Sequence, residues 1–289
     1  MKNLRACLQN RPADRLLVAP GVYDMVSARI ADRMGFDLLY MTGFGVVASH
    51  LGLPDAGLAS YRDMVDRVAA LAGGTDTPMI ADGDTGYGGL LNVQYTVRGY
   101  EKAGAAGIQL EDQEYPKKCG HTPGRRVVAA EEMVEKIKVA VESRTSPDFL
   151  IVARSDARGA TGSVEEAIRR GRMYAAAGAD ILFIESPESE AEMQAICREL
   201  KGTPLLVNMV EGGRTPVLPP EQLAAMGYTL AIYPVSALLA ATTAMEASYR
   251  HLREHGTMIG SETPLYPFKE MTRLMGFEAV WAFDRTHAK

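Results

Sequence analysis

One phrase recurs along this chain and limits what it can fold into: an amphipathic helix, a turn of small residues, then a short apolar run ending in polar groups. It occurs at Ala31-Asp32-Arg33-Met34-Gly35-Phe36 before Leu38-Leu39-Tyr40-Met41-Thr42-Gly43, and at Lys102-Ala103-Gly104-Ala105-Ala106 before Gly107-Ile108-Gln109-Leu110-Glu111-Asp112. It returns at Ala177-Gly178-Ala179-Asp180 before Ile181-Leu182-Phe183-Ile184-Glu185, and at Ala225-Met226-Gly227-Tyr228 before Leu230-Ala231-Ile232-Tyr233-Pro234. Glycine just past a helix end adopts the left-handed cap conformation at little cost. The nearly continuous apolar runs that follow are how strands buried on both faces of a parallel sheet read. Extending the pattern gives candidate strands at about 16–20, 38–43, 78–83, 107–111, 149–154, 181–185, 205–209 and 230–234. Helices such as 93–103, 130–143, 164–177 and 190–200 lie between them. Eight strand–helix units at this spacing predict an α/β fold, the (β/α)8 TIM barrel, ahead of an open doubly wound sheet.

Past the eighth strand, residues 237–256 predict a long helix, and a stretch punctuated by Gly260, Pro264 and Pro267 leads to a further helical segment at 268–283. We expect one barrel domain over 1–289, with 257–289 as a C-terminal helical extension that packs on a partner subunit or covers the barrel base. Thirty-one basic against 36 acidic residues leave a net charge of −5, which gives no electrostatic reason to expect nucleic acid or an anionic membrane as partner. Cys7, Cys119 and Cys197 are too few and too scattered for a disulfide framework or a zinc site. No apolar run reaches the ~20 residues of a membrane span, and Met1-Lys2-Asn3-Leu4-Arg5 lacks a secretory pattern, so a cytoplasmic setting is expected.

Barrel enzymes gather their chemistry at the C-terminal ends of the strands. Those ends read Tyr40-Met41-Thr42-Gly43, Asp82-Gly83-Asp84, Glu111-Asp112, Arg154-Ser155-Asp156, Glu185 and Asn208. Two residues apart in an extended strand, Asp82 and Asp84 would project to one side, and paired carboxylates without histidine favour Mg²⁺ or Mn²⁺. Glu111 is placed to complete that site through a bound water. Thr85-Gly86-Tyr87-Gly88-Gly89 is not a dinucleotide fingerprint and reads as a tight loop beside the metal. Lys117-Lys118-Cys119-Gly120-His121 follows strand four on a short loop, where the lysines and the histidine are expected to lower the Cys119 pKa and fit it for proton transfer. Arg154 is a bidentate partner for a substrate carboxylate or, alternatively, a structural partner of Asp156 or Glu185. Cys7 and Cys197 read as structural.

With Asp82-Gly83-Asp84-Thr85-Gly86-Tyr87-Gly88, Glu111-Asp112-Gln113, Lys117-Lys118-Cys119-Gly120-His121, Val152-Ala153-Arg154-Ser155-Asp156-Ala157 and Ile232-Tyr233-Pro234, the chain resembles the isocitrate lyase/phosphoenolpyruvate mutase superfamily over roughly residues 15–250. The resemblance implies a barrel, a Mg²⁺ site, a mobile loop carrying the cysteine, and helix-swapped homodimers or homotetramers acting on small carboxylates. It also implies roles: Asp82, Asp84, Glu111 and Asp55 around the metal; Thr42, Gly43, Gly120, His121, Arg154 and Asn208 on the substrate; Cys119 as general acid; Tyr40, Arg154 and Glu185 at the reacting centre. Threonine at 42 departs mildly from the family's serine.

Cys119-Gly120-His121 resembles the lyase branch, since phosphonomutases and phosphonate hydrolases carry asparagine and serine on this loop. Leu239 stands where members cleaving tricarboxylates such as 2-methylisocitrate carry arginine, and Glu114-Tyr115-Pro116 is similar to petal-death and dimethylmalate-lyase-like members. A third carboxylate facing leucine would be desolvated without a partner, at a cost of several kcal/mol. The expected reaction is therefore Mg²⁺-dependent cleavage of a carbon–carbon bond in a 2-alkylmalate to a 2-oxo acid such as pyruvate and a carboxylate, with Tyr40 or Glu185 as base. Oxaloacetate hydrolysis or decarboxylation, 2-methylisocitrate cleavage, phosphonomutase chemistry and a non-catalytic 2-oxo acid binder are the alternatives.

Overall fold

A computed structural model of the chain describes residues 3–12 and 14–287. They fall into two compact units, the first running to Ala237 and the second beginning at Leu238. The break thus comes ahead of residue 257, because the long helix belongs with the second unit.

The first unit alternates strand and helix. In chain order it holds α1 (Leu4–Gln9), β1 (Leu17–Val22), α2 (Met25–Arg33), β2 (Leu39–Met41), α3 (Gly43–Val46), a π-helical turn (Val47–Leu51), α4 (Tyr61–Gly73), β3 (Met79–Asp82), α5 (Leu90–Lys102) and β4 (Gly107–Glu111). It continues with α6 (Ala130–Ser143), β5 (Leu150–Ser155), α7 (Ala157–Thr161), α8 (Val164–Ala176), β6 (Ile181–Ile184), α9 (Glu190–Glu199), β7 (Leu205–Asn208), α10 (Pro220–Met226) and β8 (Leu230–Tyr233). All eight strands pair in parallel in sequence order, and β1 closes on β8 with Leu17 opposite Leu230. The expected (β/α)8 barrel is what forms.

Side chains pointing inward fill the barrel: Leu17, Ala19, Tyr40, Ile80, Val152, Phe183, Leu206 and Ile232 share one buried cluster with Leu38, Leu150, Ile181 and Leu230. Withdrawing each larger apolar side chain from water contributes roughly 1.5–3 kcal/mol. The sequence pattern missed α1, six residues long and too short to stand alone. It forms because Leu4 joins the cluster with Cys7 and Leu8 against it, while Arg5 bonds to the Pro147 carbonyl and to Asp180, both at 2.7 Å.

Five strands, β2, β3, β6, β7 and β8, end earlier than expected, and the ends of β2 and β3 matter most for the site. β2 stops at Met41 because Thr42 leaves the sheet to cap α3, its side chain accepting the Gly45 N–H. β3 stops at Asp82, and Asp84 takes φ 48°, so the extended alternation invoked for this pair does not apply. The pair still meets, because the Asp84 N–H donates to Asp82 Oδ1 at 3.0 Å.

The second unit contains most of α11 (Ser236–His255), then α12 (Phe268–Leu274) and α13 (Phe277–His287). Neither α11 nor α13 has a buried residue. No helix among the described residues is long and apolar enough to cross a membrane.

Candidate active site

Ionisable side chains collect in two groups at the C-terminal mouth of the barrel. The first surrounds the ends of β2, β3 and β4. Asp82 Oδ1 also receives Gln109 Nε2 at 3.4 Å, and the Gln109 amide oxygen accepts the Tyr40 hydroxyl at 3.0 Å. Asp82 Oδ2 lies so close to Gly43 that a Cβ there would come within 2.5 Å, so glycine is required by the approach of the carboxylate. Lys117 is buried and meets Asp84 Oδ1 at 2.8 Å and Asp55 Oδ1 at 2.5 Å. Burial lifts Asp84 to about 6 despite the Lys117 charge. Glu111 has both oxygens buried without a hydrogen-bond partner; its nearest cation is Arg154, 3.4 Å away. Burial raises its pKa well above the usual carboxylate range, with Arg154 opposing.

The second group centres on Arg154 at the end of β5. Its Nε and one terminal nitrogen grip Asp156 as a fork, at 2.9 and 3.0 Å, and the same terminal nitrogen reaches Glu185 Oε2 at 3.2 Å. Burial alone would raise Asp156, but Arg154 and Arg125 outweigh it and hold the carboxyl below the ordinary range. Behind this pair, Asp112 accepts the Asp156 N–H (2.8 Å), the Tyr174 hydroxyl (2.7 Å), the Ser155 hydroxyl (2.8 Å) and Arg170 (3.1 Å). Glu185 accepts from the Ser186 N–H at 2.7 Å and from Asn208 Nδ2 at 3.1 Å.

The loop 112–129 closes over both groups. Its base is pinned by the Gln113–Val127 bridge and by the Glu114 N–H to Arg126 carbonyl bond at 2.9 Å. Nearer the tip, the Gln113 side chain clasps Lys118 through both its amide nitrogen and its oxygen. Beyond it the Cys119 N–H donates to the Asp55 carbonyl at 3.1 Å, and the Ser186 hydroxyl donates to the Gly120 carbonyl at 2.8 Å. His121 Nδ1 accepts the Arg214 N–H at 3.1 Å, and its Nε2 lies 3.4 Å from Glu185. A Cβ on Gly120 would collide with Arg154 and Glu185, so only glycine lets the loop sit this low.

This geometry corrects the expected thiol chemistry. Lys117 turns away into the Asp55–Asp84 pair, Lys118 points out to the Gly124 carbonyl, and burial holds His121 below its usual pKa. Burial therefore dominates at Cys119 and pushes its thiol up, with Asp55 adding to the rise. A thiol held protonated is an acid, not a ready thiolate. Tyr40, proposed near the reacting centre, commits its proton to Gln109, and burial raises its pKa well above that of an ordinary phenol.

Sequence reasoning passed over Lys117 as a site residue, together with Gln109, Arg125 and Ser186. Their signal was faint: each lies in or beside a motif already assigned to another task. Ser186 and Asp84 share a further trait, a positive φ (56° and 48°) that side chains other than glycine rarely adopt and that concentrates at functional sites.

The carboxylates Asp55, Asp82, Asp84, Glu111, Asp156 and Glu185 outnumber the cations Lys117, Arg125 and Arg154 at this mouth, and Glu111 offers two oxygens without a hydrogen-bond partner. That donor set fits a hard divalent cation. Among the described residues no three acidic, histidine or cysteine side chains converge closely enough to enclose an ion directly, so part of a bound ion's shell would fall to water.

A family profile described as phosphoenolpyruvate phosphomutase matches residues 4–253. The chain is 49% identical to a 2,3-dimethylmalate lyase of Eubacterium barkeri, covering 95% of this chain and 94% of that one. It is 42% identical to a 2-methylisocitrate lyase of Aeropyrum pernix, covering 95% and 86%. Among solved structures, an oxaloacetate acetylhydrolase bound to 3,3-difluorooxalacetate superposes with a TM-score of 0.91 at 38% identity, covering 98% and 95%. A phosphonopyruvate hydrolase in complex with oxalate and Mg²⁺ superposes at 0.88 with 32% identity, covering 99% and 98%. The chain belongs to the phosphoenolpyruvate mutase/isocitrate lyase superfamily.

Proposed function

We propose that this carbon–carbon lyase cleaves a 2-hydroxy dicarboxylate of the 2-alkylmalate type, 2,3-dimethylmalate being the first candidate, into a 2-oxo acid such as pyruvate and a carboxylate. One observation carries this reading: Cys119 is held as a protonated thiol on a loop whose next residue lies against Arg154 and Glu185. In sequence, Leu239 stands where tricarboxylate-cleaving members carry arginine, and that resemblance supports a dicarboxylate.

Asp82, Asp84, Glu111 and Asp55 would hold Mg²⁺, with Mn²⁺ able to replace it, and Lys117 balances the remaining charge of Asp55 and Asp84. When bound, the ion supplies Lewis-acid stabilisation of the substrate's 2-oxygen. Thr42, Gly43 and Asn208 line the substrate's position. Arg154 uses the nitrogen facing Glu111 to hold the carboxylate beside that oxygen, since its fork is occupied by Asp156. Glu185, rather than Tyr40, is the base that takes the 2-hydroxyl proton. As the C2–C3 bond breaks, its electron pair passes to C3 and the C2 oxygen becomes a carbonyl. The Cys119 thiol then delivers its proton to C3, and the closed loop with Gly120 and His121 excludes water.

The test is incubation with Mg²⁺ and oxaloacetate, 2-methylmalate, 2,3-dimethylmalate or 2-methylisocitrate, with products read by mass spectrometry. Pyruvate with propionate from dimethylmalate is expected. Faster cleavage of 2-methylisocitrate, or acetate with oxalate from oxaloacetate, would replace the substrate assignment.

We also propose a homodimer or homotetramer in the cytoplasm. Exposed Phe268, Trp281 and Phe283 in the second unit support assembly, since monomers rarely leave so much apolar surface in water. Three free cysteines fit a reducing compartment. Light scattering on the purified protein tests the assembly.

A further inference from the structure

The returning limb of the loop carries an arginine that the mechanism above leaves unused. Arg125 follows Gly124, which has φ 78°, and precedes the pinned base of the loop at Val127. It is 5% exposed, and one terminal nitrogen donates to Asp156 Oδ1 at 3.0 Å. The same oxygen receives Arg154 at 3.0 Å. One carboxylate therefore serves two guanidinium groups, one on the barrel wall and one on the loop. The fit is close: Gly159 in α7 leaves the space Arg125 occupies, and a Cβ there would collide with the guanidinium.

We infer that Arg125 is a positioning residue that couples closure of the loop 112–129 to the orientation of the Arg154 guanidinium through the shared carboxylate of Asp156. With the loop down, Asp156 is gripped from both sides and the Arg154 fork is fixed, which leaves its remaining nitrogen aimed at the site. With the limb lifted, Asp156 loses the outer partner and the fork can tilt. Because both groups bind one oxygen, a ligand that fixes Arg154 must also favour the closed loop, and the reverse holds by linkage. The inference rests on the reading that Arg154 holds a substrate carboxylate.

Three variants of the full chain separate charge from bulk. Arg125→Met keeps the volume and removes the charge. Arg125→Lys keeps the charge, and Gly159→Ala displaces the guanidinium without altering it. With Mg²⁺ and 2,3-dimethylmalate, Arg125→Met and Gly159→Ala are expected to raise KM about tenfold, within the usual range of coupling between sites. Arg125→Lys should stay within about threefold of wild type, because an ammonium still reaches a point-charge partner. Trypsin adds a readout of coupling: a change in packing alone would alter the basal rate of cleavage but leave its suppression by ligand in place. Oxalate with Mg²⁺ should suppress cleavage after Lys117 and Lys118 in the wild type and in Arg125→Lys, but not in Arg125→Met or Gly159→Ala. Melting curves identify any variant that fails to fold; the other two then carry the comparison. Wild-type KM and protection in Arg125→Met, or damage in Arg125→Lys equal to that in Arg125→Met, overturns the coupling. Arg154→Lys keeps the two levels apart: unchanged KM there removes the underlying reading, whereas a raised KM there beside a normal Arg125→Met removes the coupling alone.

Discussion

The two mouths of the barrel are built from opposite materials. At the N-terminal mouth, Leu4 of α1 closes over Leu17, Leu150 and Leu230, an apolar plug fastened at its rim by Arg5. At the C-terminal mouth, Asp82, Asp84, Glu111, Lys117, Arg154, Asp156 and Glu185 are equally buried, yet every one is ionisable. Burial stabilises the first set and penalises the second. A chain accumulates buried charge only where its chemistry needs it, so one end of the barrel carries stability and the other carries reactivity.

The sharpest test of that contrast is Cys119→Ser. Turnover of the cleaved substrate should fall by about 10²–10⁴, the usual worth of a general acid–base group, with an unchanged melting temperature. Since the donor is the protonated thiol and burial raises its pKa, wild-type kcat should hold as pH climbs past about 8.5, the ordinary thiol value. Near-wild-type turnover in the variant would remove Cys119 from the mechanism. Leu4→Ala is the mirror experiment: urea unfolding should show a loss of about 2–4 kcal/mol, with kcat per folded molecule intact. A fall in kcat there would mean that the two mouths are not independent.

Ser163→Ala probes the wall between them. Its side chain caps α8 by accepting the Glu166 N–H at 3.1 Å, so about 1 kcal/mol of stability should go without kinetic effect. The smallest effect concerns metal binding and pH. Asp84, with a pKa of about 6, holds its proton below that value, and a proton competes with a cation. Calorimetric titration of Mg²⁺ should therefore show affinity about fourfold weaker at pH 5.5 than at pH 7.5. An affinity independent of pH over that range would exclude Asp84 from the metal site.

Much of this was legible beforehand because the signals are local. Runs such as Ile181–Ile184 behind a glycine cap identify a parallel barrel strand wherever they occur, and the polar residue ending each run marks the mouth. Beyond the reach of local pattern were contacts across the chain. Lys117 neighbours Cys119 in sequence, so it reads as a modulator of the thiol; only folding reveals that Asp55, 62 residues away, claims it. The helix α1 shows no useful period because its stability derives from the barrel it plugs. Asp84 defeated the alternation rule since β3 ends at Asp82 and Asp84, at φ 48°, lies beyond the strand on which the rule depends.

The closeness of Gly120 to Arg154 and Glu185 has a consequence for how the enzyme ages. A lid seated this low leaves Cys119 only partly accessible, which limits the approach of bulky electrophiles to its sulfur. Attack on the thiol should then be faster with the lid open, and a ligand that holds it shut should slow the steps of sulfur oxidation. An idle enzyme should consequently lose its acid to oxidative damage faster than one at work, and the rate of thiol labelling becomes a clock for the opening of the lid.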